Sequence, residues 1–289
     1  MSLPSTAAFF SPLSVYGRLL FTTPLQKKAG LSQLISAILS IRLLKSHAFA
    51  LFYSTGVCVN LCALYVAIAT SASANAILCL CLFQLQVVRR LLEVCFVHRF
   101  SNAEMPLHLA AFGAAHYICT PWVFLPGFSH VSSSVKSSTS LSLMVLGVAL
   151  FFFGSFIQHW AHRELAGLRR QQGKNDTTAD YPLPTAMHSP VFLVSLCPHY
   201  TSEIVLYAGL LSVFCSGWGQ KWNSPCSYFL IGFDLSSLAE MLAIALPWLM
   251  FGWVVSNLGA TAYRLKQWYA KMYPGKGVEA RFAILPPFL

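Results

Sequence analysis

Six apolar runs, each about as long as a bilayer is thick, constrain this chain more than any other feature of its sequence. They lie near 48–70, 75–97, 106–126, 141–160, 190–215 and 237–260, and a helix needs about 20 apolar residues to cross the hydrocarbon core. Backbone polar groups find no water there, so runs of this length are expected to close their hydrogen bonds internally as helices. The expected fold is therefore all-α, a multi-pass membrane helix bundle with six transmembrane helices. Composition agrees. Of 289 residues 56% are hydrophobic and 10% charged, against about 25% charged in soluble domains. Pro190 and Pro198 fall within the fifth run and predict a kink or break there. Leu31–Leu44 is amphipathic and too short to span, so it is expected to lie on the membrane surface. Ser2–Pro12 carries no signal-peptide pattern.

Charge orients the bundle. The net charge is +10, yet the basic residues sit in connections and tails between apolar runs, a distribution unsuited to a nucleic-acid surface. With six spans, seventeen of the nineteen Lys and Arg fall on one side and only Lys136 and Lys221 on the other. The positive-inside rule then places both termini in the cytosol. That topology leaves the sequon Asn175-Asp176-Thr177 on the cytosolic side and unused. Nine cysteines lie mostly within apolar runs without a CxxC pair, so neither a disulfide framework nor a metal site is expected. Three regions are expected: a cytosolic or interfacial segment over 1–47, lipid-pocket helices over 48–140, and a catalytic region over 141–289.

Four polar blocks interrupt the apolar pattern. Cys197–Tyr207 (CPHYTSEIVLY) places His199 and Glu203 four apart, on one helical face. A carboxylate at membrane depth needs a partner and marks a functional site by default. In a second block Glu93 follows Arg89 by four and Arg90 by three, with Phe100-Ser101-Asn102 beyond. It reads either as ion pairs closing a helix end or as a buried acid near a substrate head group. The third, Gln158-His159-Trp160-Ala161-His162 followed by Leu168-Arg169-Arg170, reads as an interfacial belt with topology charges or as a phosphate-binding site. The fourth, Gln267-Trp268-Tyr269, Tyr273-Pro274 and Arg281 through Phe288, suits acidic lipid or a nucleotide. There is no GxGxxG after a strand and no P-loop, which excludes the common nucleotide folds.

Taken in order, these blocks resemble the steroid 5α-reductase family, and within it the polyprenol reductase branch that serves dolichol synthesis in the endoplasmic reticulum. The RRLxE…FSN, Q…H…LR, PHYxxE and QxY…YP…R…P patterns of that branch are matched over nearly the whole chain, with weaker matches at Tyr16-Gly17-Arg18, Phe52-Tyr53, Asn60, Phe112-Gly113 and Tyr117. The resemblance implies an NADPH-dependent reductase with seven transmembrane helices, acting on a polyprenyl lipid. It implies that His199 and Glu203 bind the nicotinamide end, that His162, Arg169, Tyr269 and Arg281 line the rest of the cofactor site, and that Tyr200 also belongs to that site. The family's first transmembrane helix lies upstream of the Tyr-Gly-basic match, where this sequence has about fifteen residues. His188-Ser189-Pro190-Val191 stands where the branch has a Gly-Asp-Trp-like stretch, and extra residues occur around Gly275–Glu279.

Chemistry narrows the acceptor. Hydride attacks an electron-poor alkene; an allylic alcohol offers none, whereas a conjugated aldehyde does once an acid binds its oxygen. Polyprenal is therefore the expected immediate acceptor. Glu93, Tyr53 and Tyr117 are the candidate acids, in that order. The alternatives are a 3-oxo-steroid reductase, a membrane methyltransferase using S-adenosylmethionine, and a non-enzymatic lipid-binding protein. The Pro-His-Tyr order with Glu203 following favours the reductase.

Overall fold

The computed structural model describes residues 39–100, 102–125, 138–171, 182–184, 191–217 and 235–284. The Tyr16–Arg18 match, Lys136, Asn175, Lys221 and the His188–Pro190 stretch lie outside them. Among the described residues the regular structure is helical apart from two three-residue strands. These are β1 (Arg42–Leu44) and β2 (Glu104–Pro106), paired antiparallel with Leu43 opposite Met105. The helices are α1 (Lys45–Ala69), α2 (Ala74–Leu92), α3 (Leu107–Val123), α4 (Ser138–Gln171), the single turn α5 (Val191–Val194), α6 (Pro198–Ser216) and α7 (Leu235–Met272). Of the expected surface helix over 31–44, the described residues are helical at 39–40 and strand at 42–44. Backbone bonds from Lys45 N–H to Ala103 O and from Leu107 N–H to Ile41 O extend that pairing and fix the starts of α1 and α3 together.

The chain is a predominantly α-helical membrane protein. Lys45–Ala69, Ser140–Arg170 and Ile244–Met272 are long and apolar enough to cross a bilayer by length and composition. The remaining three expected spans correspond to helices of 19, 17 and 19 residues (α2, α3 and α6). Large apolar side chains such as Tyr65, Ile68, Phe96, Phe156 and Leu249 face outward, as lipid contact requires. The fifth run breaks as its prolines predict: α5 ends at Val194, and Pro198 opens α6 at its first turn, where the missing N–H costs nothing.

Close approach of backbones sets the register of the bundle. α4 packs antiparallel along α6. A Cβ on Gly154 would lie 2.5 Å from Ser202 O, and one on Gly147 would lie 2.7 Å from Gly209 O. Small residues at such crossings let membrane helices touch. Counting on from Gly154, this register carries Gln158 and His162 to Glu203 and His199. On the other flank α1 packs against α2 and α3, with the Phe52 ring seated against Gly113, where a Cβ would lie 2.7 Å from it. The main core lies between α1, α2, α3, α4 and α6, including Phe52, Phe83, Val87, Phe151 and Leu206, with Met250 and Val254 of α7 at its side.

A second, smaller core forms where α7 ends. Gly275 and Gly277 take positive φ values of 72° and 70°, a region open to glycine at little cost, and turn the tail back toward α6. Phe282 N–H then bonds Val194 O at 2.8 Å, and Leu196 N–H bonds Phe282 O at 2.9 Å. Leu196, Cys197, Trp268, Tyr269, Val278 and Ile284 close this core. The break before α6 is thus held by the tail.

Candidate active site

α2 ends by widening into a π-turn over Glu93–Val97, a feature frequent at functional sites. The turn sets Glu93 inside the bundle, 2% exposed, with Arg89 and Arg90 one turn behind it. Burying a carboxylate demands that its oxygens be filled. One oxygen of Glu93 accepts from Arg89 and lies 2.8 Å from His159 Nδ1; the other accepts from Arg90 and lies 2.9 Å from His162 Nδ1. The ion-pair reading of this block is the one the structure displays, with two histidines added from α4.

Arg90 is the hub. Its Nη1 meets Glu93, His162 Nδ1 at 2.6 Å and His98 Nε2 at 3.3 Å. Glu93, His98 and His162 offer ligand atoms within 4.8 Å of one another, and the guanidinium stands among them as their cation. The opposite edge of the same guanidinium meets the Tyr53 hydroxyl, Nε at 3.1 Å and Nη2 at 2.8 Å. Tyr53 packs edge-on against Tyr117 with ring centres 5.1 Å apart.

A chain of amides leads from this hub to Glu203. Gln158 Nε2 donates to Glu203 Oε2 at 3.1 Å, and Gln158 Oε1 accepts from Gln86 Nε2 at 3.0 Å and from Arg89. His199 lies 5.5 Å from His162, ring to ring, and its buried Nδ1 has no hydrogen-bond partner. One turn beyond Glu203, the Tyr207 hydroxyl is 2.9 Å from His116 Nε2.

The structure thus brings Glu93, Tyr53, Tyr117, His162, His199 and Glu203 into one cluster between α1, α2, α3, α4 and α6. Three expected cofactor residues lie elsewhere. Arg169, two turns beyond His162 on α4, donates to Arg99 O. Tyr269 OH donates to Pro182 O at 3.3 Å, and Arg281 Nη1 donates to Pro184 O at 2.6 Å and Phe192 O at 3.3 Å. Burial pushes the Arg281 guanidinium below the ordinary arginine pKa, and Tyr269 opposes the shift. Tyr200 borders both groups, packing on the second core with its ring centre 4.2 Å from that of His199. His98 and His116 carry no motif and were not legible as site residues; each is placed by a partner distant in sequence.

No family model matches the chain. Curated relatives do. A protein named polyprenal reductase from Xenopus tropicalis is 31% identical over 144 residues, 48% of this chain and 46% of that protein. Polyprenal reductase of Caenorhabditis elegans is 32% identical over 144 residues, with the same coverage. Polyprenal reductase 1 of Arabidopsis thaliana is 26% identical over 239 residues, 73% of this chain and 64% of that protein. The chain spans about half the length of the vertebrate relatives it matches. The chain is thus similar in sequence to proteins named polyprenal reductase, the branch that its four polar blocks resemble.

Proposed function

We propose that this chain is an NADPH-dependent reductase that saturates the α-isoprene double bond of polyprenal, with polyprenol the nominal substrate, in the synthesis of dolichol for protein N-glycosylation. The observation that carries the reading is the polar cluster itself: a phenol fixed by an arginine, beside a carboxylate and an imidazole, inside an apolar bundle. A lipid-binding protein has no use for such a cluster, whose burial is costly.

The residues fit the cofactor. The buried Nδ1 of His199 has no partner, and Glu203 is held from one side by Gln158, so the pair suits a carboxamide that both donates and accepts. When bound, the reduced nicotinamide supplies hydride. His162, His199, Tyr200 and Glu203 are assigned to the nicotinamide end. Arg169 is assigned to the phosphates, and Tyr269 and Arg281 to the wall formed by the tail. Tyr53 is assigned the acid, with Tyr117 behind it. Glu93, both of whose oxygens are engaged by guanidinium groups, is reassigned from acid to counter-ion.

On this reading the protein lies in the endoplasmic reticulum membrane with six spans and both ends in the cytosol. Residues 48–140 shape the lipid pocket, and 141–289 form the reductase region. The test is to incubate membranes containing the protein with NADPH and either polyprenal or polyprenol, and to follow the saturated product by mass spectrometry. Dolichal from polyprenal is expected. Product from polyprenol without an aldehyde-forming enzyme overturns the acceptor. Absence of product from both, with folded protein, overturns the reductase reading in favour of a steroid enone or methyl transfer.

A further inference from the structure

A guanidinium has five N–H donors and no acceptor. Both Arg90 contacts to Tyr53, from Nε at 3.1 Å and Nη2 at 2.8 Å, are therefore donated to the phenolic oxygen. A phenol oxygen has two acceptor positions, and both are taken. What remains of Tyr53 is its own O–H proton, turned away from the guanidinium. The ring of Tyr117 packs edge-on against that of Tyr53, centres 5.1 Å apart. Arg90 cannot swing off, because its third nitrogen is held by Glu93, His162 and His98. Both Arg90 and Tyr53 are buried, 6% and 4% exposed, so water does not compete for these positions.

We infer that Arg90, anchored by Glu93, is the positioning residue that makes Tyr53 an obligate donor to the substrate oxygen. The inference rests on the reductase reading. An α,β-unsaturated aldehyde gains a C–H bond at its β-carbon with the electron pair of the reduced nicotinamide, which is oxidised. The C=C π pair shifts toward the carbonyl oxygen, and that oxygen takes the Tyr53 proton. The phenolate left behind faces the Arg90 fork, where its charge is neutralised, and is reprotonated once product release admits water. The enol takes a proton from water at its α-carbon and releases one from oxygen, so the net uptake is one hydride and one proton. Arg90 touches neither substrate nor cofactor in this scheme. It acts through Tyr53, by consuming both acceptor positions and by fixing a cation where negative charge develops.

Lysine keeps the charge at this position and loses the two-pronged edge. Arg90→Lys, Tyr53→Phe and the double variant are each assayed with NADPH and a C20 polyprenal. We expect kcat to fall at least tenfold in each single variant, KM for NADPH to stay within twofold, and the double variant to be no slower than the slower single one, as for groups acting as a unit. A second readout needs no turnover: with no cofactor present, the C20 polyprenal raises the melting temperature of the wild type and loses that effect in both single variants. Multiplying losses in the double variant, wild-type kcat in Arg90→Lys, or an undiminished aldehyde-induced shift overturns the inference while leaving the reductase reading intact. An inactive wild type overturns the reading itself. Where Arg90→Lys does not fold, Arg90→Gln combined with Glu93→Gln, which removes both charges together, takes its place under the same criteria.

Discussion

Glu93 shows how far a residue can be read from its neighbours in sequence. The i+3 and i+4 spacing to Arg90 and Arg89 makes the two ion pairs legible, and the structure forms both. The apolar flanks suggest a protonated acid instead, because they hide the two histidines that α4 delivers from 66 and 69 residues away. With four groups converging on it, Glu93 serves as the counter-ion of the cluster. Glu93→Ala leaves the buried Arg90 and the half-buried Arg89 guanidinium groups without their carboxylate, a change worth about 3–5 kcal/mol. Unfolding in detergent is expected to move accordingly, and a midpoint within error of wild type would refute the counter-ion role. Glu203 differs: it is half-buried, and Gln158 is held independently by Gln86 and Arg89. Glu203→Ala is expected to abolish turnover while the protein folds with a near-normal midpoint. Wild-type-like activity in that variant would remove Glu203 from the cofactor site.

At the scale of elements, hydropathy finds the helices and mistakes their ends. The expected span over 141–160 is a helix over Ser138–Gln171, and that over 237–260 runs on to Met272. Apolarity stops at the membrane surface, but helix formation does not. The break in the fifth run was legible because proline lacks the N–H that a helix interior needs. What spacing could not show was the α4–α6 register. Gly147, Gly154 and Gly209 stand in unremarkable apolar sequence, and only the facing backbone gives them meaning. Gly154→Ala places a methyl group 2.5 Å from Ser202 O and is expected to destabilise by about 1–3 kcal/mol, as overpacking does. It should also lower activity by shifting Gln158 against Glu203. A methyl group on Gly167, farther along the same helix, would meet nothing within 4 Å. Gly167→Ala is therefore expected to be neutral or stabilising, alanine being the better helix former by about 1 kcal/mol. Equal unfolding midpoints for the two variants would refute the close-packing account.

At the scale of the whole molecule, charge and register make one statement about orientation. The antiparallel packing of α4 and α6 brings Gln158, His162, His199 and Glu203 to one end of that helix pair, the end from which α4 continues to Arg169 and Arg170. The same end of α2 carries Arg89, Arg90 and Glu93. The cluster therefore lies toward the basic end of these helices, which the proposed topology turns to the cytosol, where a soluble dinucleotide would have access. Orientation thus has a direct test in microsomes. The sequon at Asn175 follows Arg170 in sequence and is expected to carry no glycan, while a sequon inserted beside Lys136 or Lys221 is expected to be glycosylated and to shift on glycosidase treatment. A glycan on Asn175 would turn the cluster toward the lumen and separate it from its proposed cofactor. That result would refute the topology and the cofactor assignment together, since both depend on the basic end facing the cytosol.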